Sequence, residues 1–91
     1  DRAIPDLDQA VRLNPGDANS HYYRGLAFFR KRDDDKAITD FSEAIRLNPQ
    51  FAFAYSNRGA AFSRKGEHDA AIADLDKAIS LNPKDHVAYH N

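Results

Sequence analysis

Between Ala37 and Leu47 the apolar residues are Ala37, Ile38, Phe41, Ala44, Ile45 and Leu47, with Asp40, Ser42, Glu43 and Arg46 in the gaps. Steps of one, three and four put the apolar set on one face of an amphipathic helix. Pro49 ends it at Leu47-Asn48, because a residue before proline is pushed out of the helical region. Upstream, Tyr22, Gly25, Leu26, Phe28 and Phe29 give a broader apolar face, which predicts a helix covered on two sides. The charged run Lys31-Arg32-Asp33-Asp34-Asp35-Lys36 separates the two, offers Asp33 or Asp34 as an N-cap, and is otherwise explained by solvation. Asp17 is a candidate cap for a helix from Ala18, and Gly66 supplies a left-handed residue that ends another.

The same pattern returns at a fixed step. Leu-Asn-Pro occurs at residues 13–15, 47–49 and 81–83, a spacing of 34 both times. Ala3-Ile4, Ala37-Ile38 and Ala71-Ile72 keep it, as do Asp6, Asp40 and Asp74, the set Leu7, Phe41 and Leu75, and the set Ala10, Ala44 and Ala78. Arg24-Gly25 returns as Arg58-Gly59, Phe28 as Phe62, and Arg30-Lys31 as Arg64-Lys65. So many matches at one offset mark an array of helix pairs, each pair needing its neighbours to bury its apolar face. The predicted helices run from Pro5 to Leu13, then over 18–31, 34–47, 52–65 and 68–81, with a last one from near His86. Pro5 suits the first residue of a helix, where its missing N–H costs nothing. The units then fall at 18–51 and 52–85, with the second helix of a truncated unit in 1–17 and the start of a further one in 86–91. A chain that opens on Asp1-Arg2-Ala3-Ile4 without methionine reads as a piece cut from a longer protein.

At these residues the chain resembles the tetratricopeptide repeat family, whose 34-residue helix–turn–helix carries an aromatic, Leu-Gly, a later aromatic, Ala-x3-Phe, Ala and Pro. Gly25, Phe28, Ala37, Phe41, Ala44 and Pro49 take those slots in one unit. Tyr55, Gly59, Phe62, Ala71, Leu75, Ala78 and Pro83 take them in the next. His21 departs from the first aromatic, Arg24 and Arg58 from the leucine before glycine, and Arg32 from the glycine seen at Gly66. The resemblance implies an all-α fold, a right-handed α-solenoid of antiparallel helix hairpins. It also implies that small residues such as Gly25, Ala37 and Ala44 stand where helices cross closely. Arg24 and Arg58 recur together with Asp6, Asp40 and Asp74, which suits ion pairs between helices.

Function follows from the same resemblance. The first helices of successive units would line a concave groove for a peptide or protein surface. One wall would carry Asn19, Tyr22, Tyr23, Leu26, Phe29 and Arg30. The second would carry Phe53, Ser56, Asn57, Ala60, Ser63 and Arg64, and Val87, His90 and Asn91 would begin a third. Aromatic anchors with two arginines suit an extended segment bearing an apolar side chain and a carboxylate or carbonyl. The competing reading is that Tyr22, Tyr23, Phe29 and Phe53 only pack between helices. A chaperone-tail clamp is rejected: Asn57 fits its central asparagine, but Tyr22, Leu26, Val87 and Asn91 do not supply the other four positions. The alternative role is a structural spacer, or an element that self-associates through open repeat ends.

Composition removes other classes. The 91 residues include 13 basic and 14 acidic ones, a net charge of -1, without the basic surplus of a nucleic-acid binder. There is no cysteine, so disulfides and thiolate chemistry are excluded, and no apolar run approaches the ~20 residues of a membrane span. His86 and His90 have helical metal-ligand spacing but lack a third ligand, while His68 beside Asp69 reads as a surface pair and His21 as packing. No nucleophile or phosphate-loop motif is present. The expectation is a non-enzymatic binding module with no cofactor and no metal.

Overall fold

The computed structural model describes residues 3–81, and within them the chain is all-α. Its helices are α1 (Ala3–Leu13), α2 (Ala18–Arg30), α3 (Asp34–Leu47), α4 (Ala52–Arg64) and α5 (His68–Leu81). Each packs on the next in chain order, and α2 also touches α4. The expected helix near His86 lies outside the described residues, with the histidine pair and the third groove wall.

Turn chemistry sets the boundaries. Asp17 caps α2 by accepting from the Asn19 N–H at 3.0 Å, and Asp33 caps α3 by accepting from the Lys36 N–H at 3.3 Å. Of the two cap candidates at the charged run, Asp33 is therefore the one used. Helices α2 and α4 close alike. The Asp33 N–H reaches the Phe28 carbonyl and the Glu67 N–H the Phe62 carbonyl, both at 2.9 Å. One residue earlier, Arg32 and Gly66 donate to the Phe29 and Ser63 carbonyls, both at 3.0 Å. This paired closure needs a left-handed residue between. Gly66 provides it at φ 85°, and Arg32 is forced into it at φ 65°. Lys31 and Lys65 are the C-caps, so α2 and α4 stop one residue before the expected ends. Helix α1 begins at Ala3, two residues before Pro5. The proline then sits in the first turn, where an N–H has no intrahelical partner in any case.

The core is made of small residues and one large ring. Ala37, Ala44, Ala54, Ala61 and Ala78 are wholly buried, and Phe41 is the largest fully buried side chain. Close crossing explains the glycines. A Cβ on Gly25 would stand 2.8 Å from the Phe41 ring, and one on Gly59 would stand 3.1 Å from Leu75 Cγ and 3.2 Å from the Ala71 carbonyl oxygen. Each hairpin is thus drawn together at its glycine.

Candidate functional site

Two arginines hold the array in register. Arg24 donates from Nε and Nη2 to the two carboxylate oxygens of Asp40, at 2.8 and 2.7 Å. Arg58 does the same to Asp74, at 2.8 Å for both bonds. Each pair joins the two helices of a hairpin across sixteen residues. The remaining nitrogen, Nη1, reaches back to the preceding helix, to Asp8 from Arg24 and to Ser42 from Arg58, both at 3.0 Å. One guanidinium therefore links three helices. Asp40 and Asp74 are buried, and their hydrogen bonds raise the arginine pKa values above the ordinary value despite the opposing cost of burial. The expected series is corrected at its first member. Asp6 pairs with neither arginine, because the bond runs forward sixteen residues and that step back from Asp6 falls before residue 1. The acceptors at Asp8 and Ser42 were missed, although they too are 34 apart, since they differ in chemical type.

His21 is buried, as a packing residue should be. Its Nε2 lies 3.0 Å from the Pro15 carbonyl oxygen, which assigns that nitrogen as the donor. Nδ1 is buried, 3.8 Å from Asp40 Oδ1, and has no hydrogen-bond partner among the described residues.

The residues expected along the groove divide into three groups. Tyr22 is half-buried at a junction, its ring centroid 4.7 Å from Phe51, 5.8 Å from Phe41 and 5.5 Å from Tyr23. Asn57 donates to the Tyr22 hydroxyl at 3.0 Å and to the Phe53 carbonyl at 2.8 Å, so its amide stitches α4 to α2. Phe51 stands at the slot that Asp17 fills in the preceding unit and packs on Tyr22 instead of capping through its side chain. These three residues form an inter-unit junction.

A second group is bound into an electrostatic latch. Arg64 donates from Nε to both oxygens of Asp34, at 2.8 and 3.1 Å, and from Nη2 to the Phe29 carbonyl at 2.6 Å. Its guanidinium carbon stands 3.9 Å from the centre of the Phe29 ring. Next to it, Lys65 pairs with Asp35. These hydrogen bonds raise the pKa values of both cations. The charged run at 31–36 is thus more than a solvated turn, because Asp34 and Asp35 hold the end of α4. Residues 30 apart in sequence make these pairs, and charge spacing alone does not reveal them.

The third group faces solvent or lies shallowly. Tyr23 and Phe53 are 54% and 51% exposed, the most exposed aromatics in the described residues. Asn19, Arg30 and Ser63 are exposed, whereas Leu26, Ser56 and Ala60 are half-buried beside them. Asn19, Tyr23, Leu26 and Arg30 share one face of α2, and Phe53, Ser56, Ala60 and Ser63 one face of α4, by steps of three and four.

Among the described residues no three His, Cys, Asp or Glu side chains are grouped to hold a metal, and no helix is long and apolar enough to cross a membrane. His68 is exposed at the start of α5.

Comparison with known proteins agrees with this architecture. Family models described as tetratricopeptide repeat match residues 1–52 and 52–85. A MamA crystal structure superposes with a TM-score of 0.85 at 36% identity, covering 88% of this chain and 47% of that one. YrrB, titled a TPR protein with an unusual peptide-binding site, gives 0.90 at 31% identity, covering 97% and 45%. The TPR domain of Arabidopsis OM64 gives 0.88 at 27% identity, covering 90% and 68%. The chain thus spans about half the length of MamA and YrrB. No curated protein matches it by sequence. The family is a class of helical protein-interaction scaffolds. With its 34-residue helix pairs, its glycine crossings and these matches, the chain belongs to the tetratricopeptide repeat family.

Proposed function

We propose that the first helices of the units at 18–51 and 52–85 form a groove that holds an extended segment of a partner protein. The observation that carries this reading is the exposure of Tyr23 on α2 and Phe53 on α4, while the other groove aromatics, Tyr22 and Phe29, are half-buried. Leaving about half of two large rings in water forgoes burial worth about 1 kcal/mol for each, which a partner's side chain would recover. Small neutral side chains at Ser56, Ala60 and Ser63 leave room for a backbone beside them. YrrB, a structural relative of this chain, is titled a TPR protein with an unusual peptide-binding site, which supports a peptide as the class of ligand.

The test is a peptide-array screen of the chain beside a Tyr23→Ala/Phe53→Ala variant. Selective binding that the variant loses, with its helical circular dichroism unchanged, supports the groove. Binding that survives removal of both rings places the ligand elsewhere.

A second reading, self-association or spacing through a repeat end, draws on a different surface. Ile72 and Ile79 on α5 are 58% and 38% exposed, whereas the matching Ile38 and Ile45 on α3 are half-buried, with α4 packed on that helix. Sedimentation over a range of concentrations decides it: a monomer throughout removes self-association.

A further inference from the structure

Two contacts tie α4 to α2, one toward each end of the groove. At the C-terminal ends Arg64 donates to the Phe29 carbonyl at 2.6 Å, and its guanidinium carbon stands 3.9 Å from the centre of the Phe29 ring. Toward the N-terminal ends the Asn57 amide donates to the Tyr22 hydroxyl at 3.0 Å and to the Phe53 carbonyl at 2.8 Å. Both members of the Asn57–Tyr22 bond are already held. The bond to Phe53 fixes the amide on its own helix, and the Tyr22 ring packs on Phe51 and Phe41, at centroid distances of 4.7 and 5.8 Å. Joining two immobilised groups costs little conformational entropy, so the bond acts as a spacer of set length. It also reaches the supports of both exposed rings. Tyr22 precedes Tyr23 and packs on its ring at 5.5 Å, and the same amide holds the carbonyl of Phe53. The tie is particular to this junction, because Tyr23 stands at the slot of Asn57 one unit earlier and Ser56 at that of Tyr22 one unit later. With Arg64 as the pivot, loss of the Asn57–Tyr22 bond frees α4 to swing at the end that carries Phe53.

We propose that Tyr22 and Asn57 are positioning residues that set the separation of Tyr23 and Phe53, so that the groove selects extended segments carrying two apolar side chains at one matched spacing. The inference rests on the groove reading above and adds the chemical class of the ligand. A preset pair of anchor points favours the segment whose side chains reach both without strain. An extended chain advances ~3.3 Å per residue, so a change of one or two residues misplaces the second anchor.

Fluorescence anisotropy on the full chain tests it with labelled ten-residue peptides of serine and glycine that carry two leucines, separated by two to six residues. The wild type is expected to bind the best spacing about tenfold more tightly than the worst. Tyr22→Phe keeps the ring packing and removes only the hydroxyl, and should reduce that preference to about threefold or less. Asn57→Ala should do the same. Gly25→Ala disturbs the α2–α3 crossing and leaves both ties in place, so it should keep the wild-type preference, which separates positioning from stability. Spin labels on Gln9→Cys and Asp76→Cys, exposed sites of α1 and α5 outside the groove, read the angle between units in a chain with no other cysteine. Their distance distribution should be wider in Tyr22→Phe than in the wild type. Equal binding at all spacings by the wild type, a Tyr22→Phe chain that keeps the preference, or an unchanged distance distribution overturns the inference while the groove reading stands. A Gly25→Ala chain that loses the preference overturns it as well. Binding of none of the peptides overturns both.

Discussion

Arg58 meets Asp74 through two parallel N–H···O bonds of 2.8 Å, and Arg24 repeats the contact with Asp40 one unit earlier. The fork matches the carboxylate geometry, and burial of the aspartate makes it dependent on the partner. Removing one member leaves an uncompensated charge inside. Arg58→Met should therefore lower unfolding stability by about 3 kcal/mol, and Arg58→Met with Asp74→Leu should regain most of it. Urea titration of the four-member cycle measures the coupling, and a coupling of zero would deny the pair any structural role.

The crossing at Gly25 makes a different demand. An alanine there would put its methyl 2.8 Å from the buried Phe41 ring. Overpacking should outweigh the gain in helix propensity and cost about 1–2 kcal/mol. Phe41→Leu, the residue found at the matching slot Leu75, should restore part of the loss in the double variant. Thermal melts of the three proteins would settle the point, since a Gly25→Ala chain as stable as wild type means the hairpin can open at no cost.

Surface pairs give the chain its pH edges. Hydrogen bonding to Arg46 lowers the Glu43 pKa below its ordinary 4.5. The contribution of Glu43 is then present above pH 4.5 and is lost as the pH falls through the depressed folded value. Hydrogen bonding to Asp35 raises Lys65 above its ordinary 10.5, so its contribution is present below that pH and is lost as the pH rises through the folded value. Lys65 is exposed and Glu43 only half-buried, so the effects are small. Arg46→Gln should flatten the acid limb of a urea-midpoint profile and Lys65→Gln the alkaline limb, each without changing the other.

Most of the fold is legible because its signals are local and repeat. Pro49, Asp17, Asp33 and Gly66 each act on the backbone within a few residues, so the ends of the middle helices follow within a residue. The sixteen-residue arginine–aspartate link is legible as well, because both partners recur with the unit. Contacts between units are less so. Arg64–Asp34 and Asn57–Tyr22 join residues that do not repeat as pairs, since His68 stands at the slot of Asp34 and Ser56 at that of Tyr22. Arg64 finds Asp34 thirty residues back, whereas the same step from Arg30 falls before residue 1. The family resemblance implies which helix faces line the groove, and packing decides which of their residues remain available.

Arg32 and Gly66 occupy one slot in successive units and adopt the same left-handed conformation, φ 65° and 85°. The closing hydrogen bonds are equal in length at both turns, so the backbone demand is the same. A side chain there crowds the following carbonyl and costs about 1 kcal/mol. Glycine avoids that cost but starts from a more flexible unfolded chain. No hydrogen bond or ion pair of the Arg32 side chain offsets the strain among the described residues, and both positions are exposed. Arg32→Gly should therefore raise stability by about 0.5 kcal/mol, whereas Gly66→Arg should lower it by about 1 kcal/mol. Chemical denaturation of the two variants checks both signs. A loss in Arg32→Gly would mean that the arginine side chain contributes more at this turn than its backbone costs.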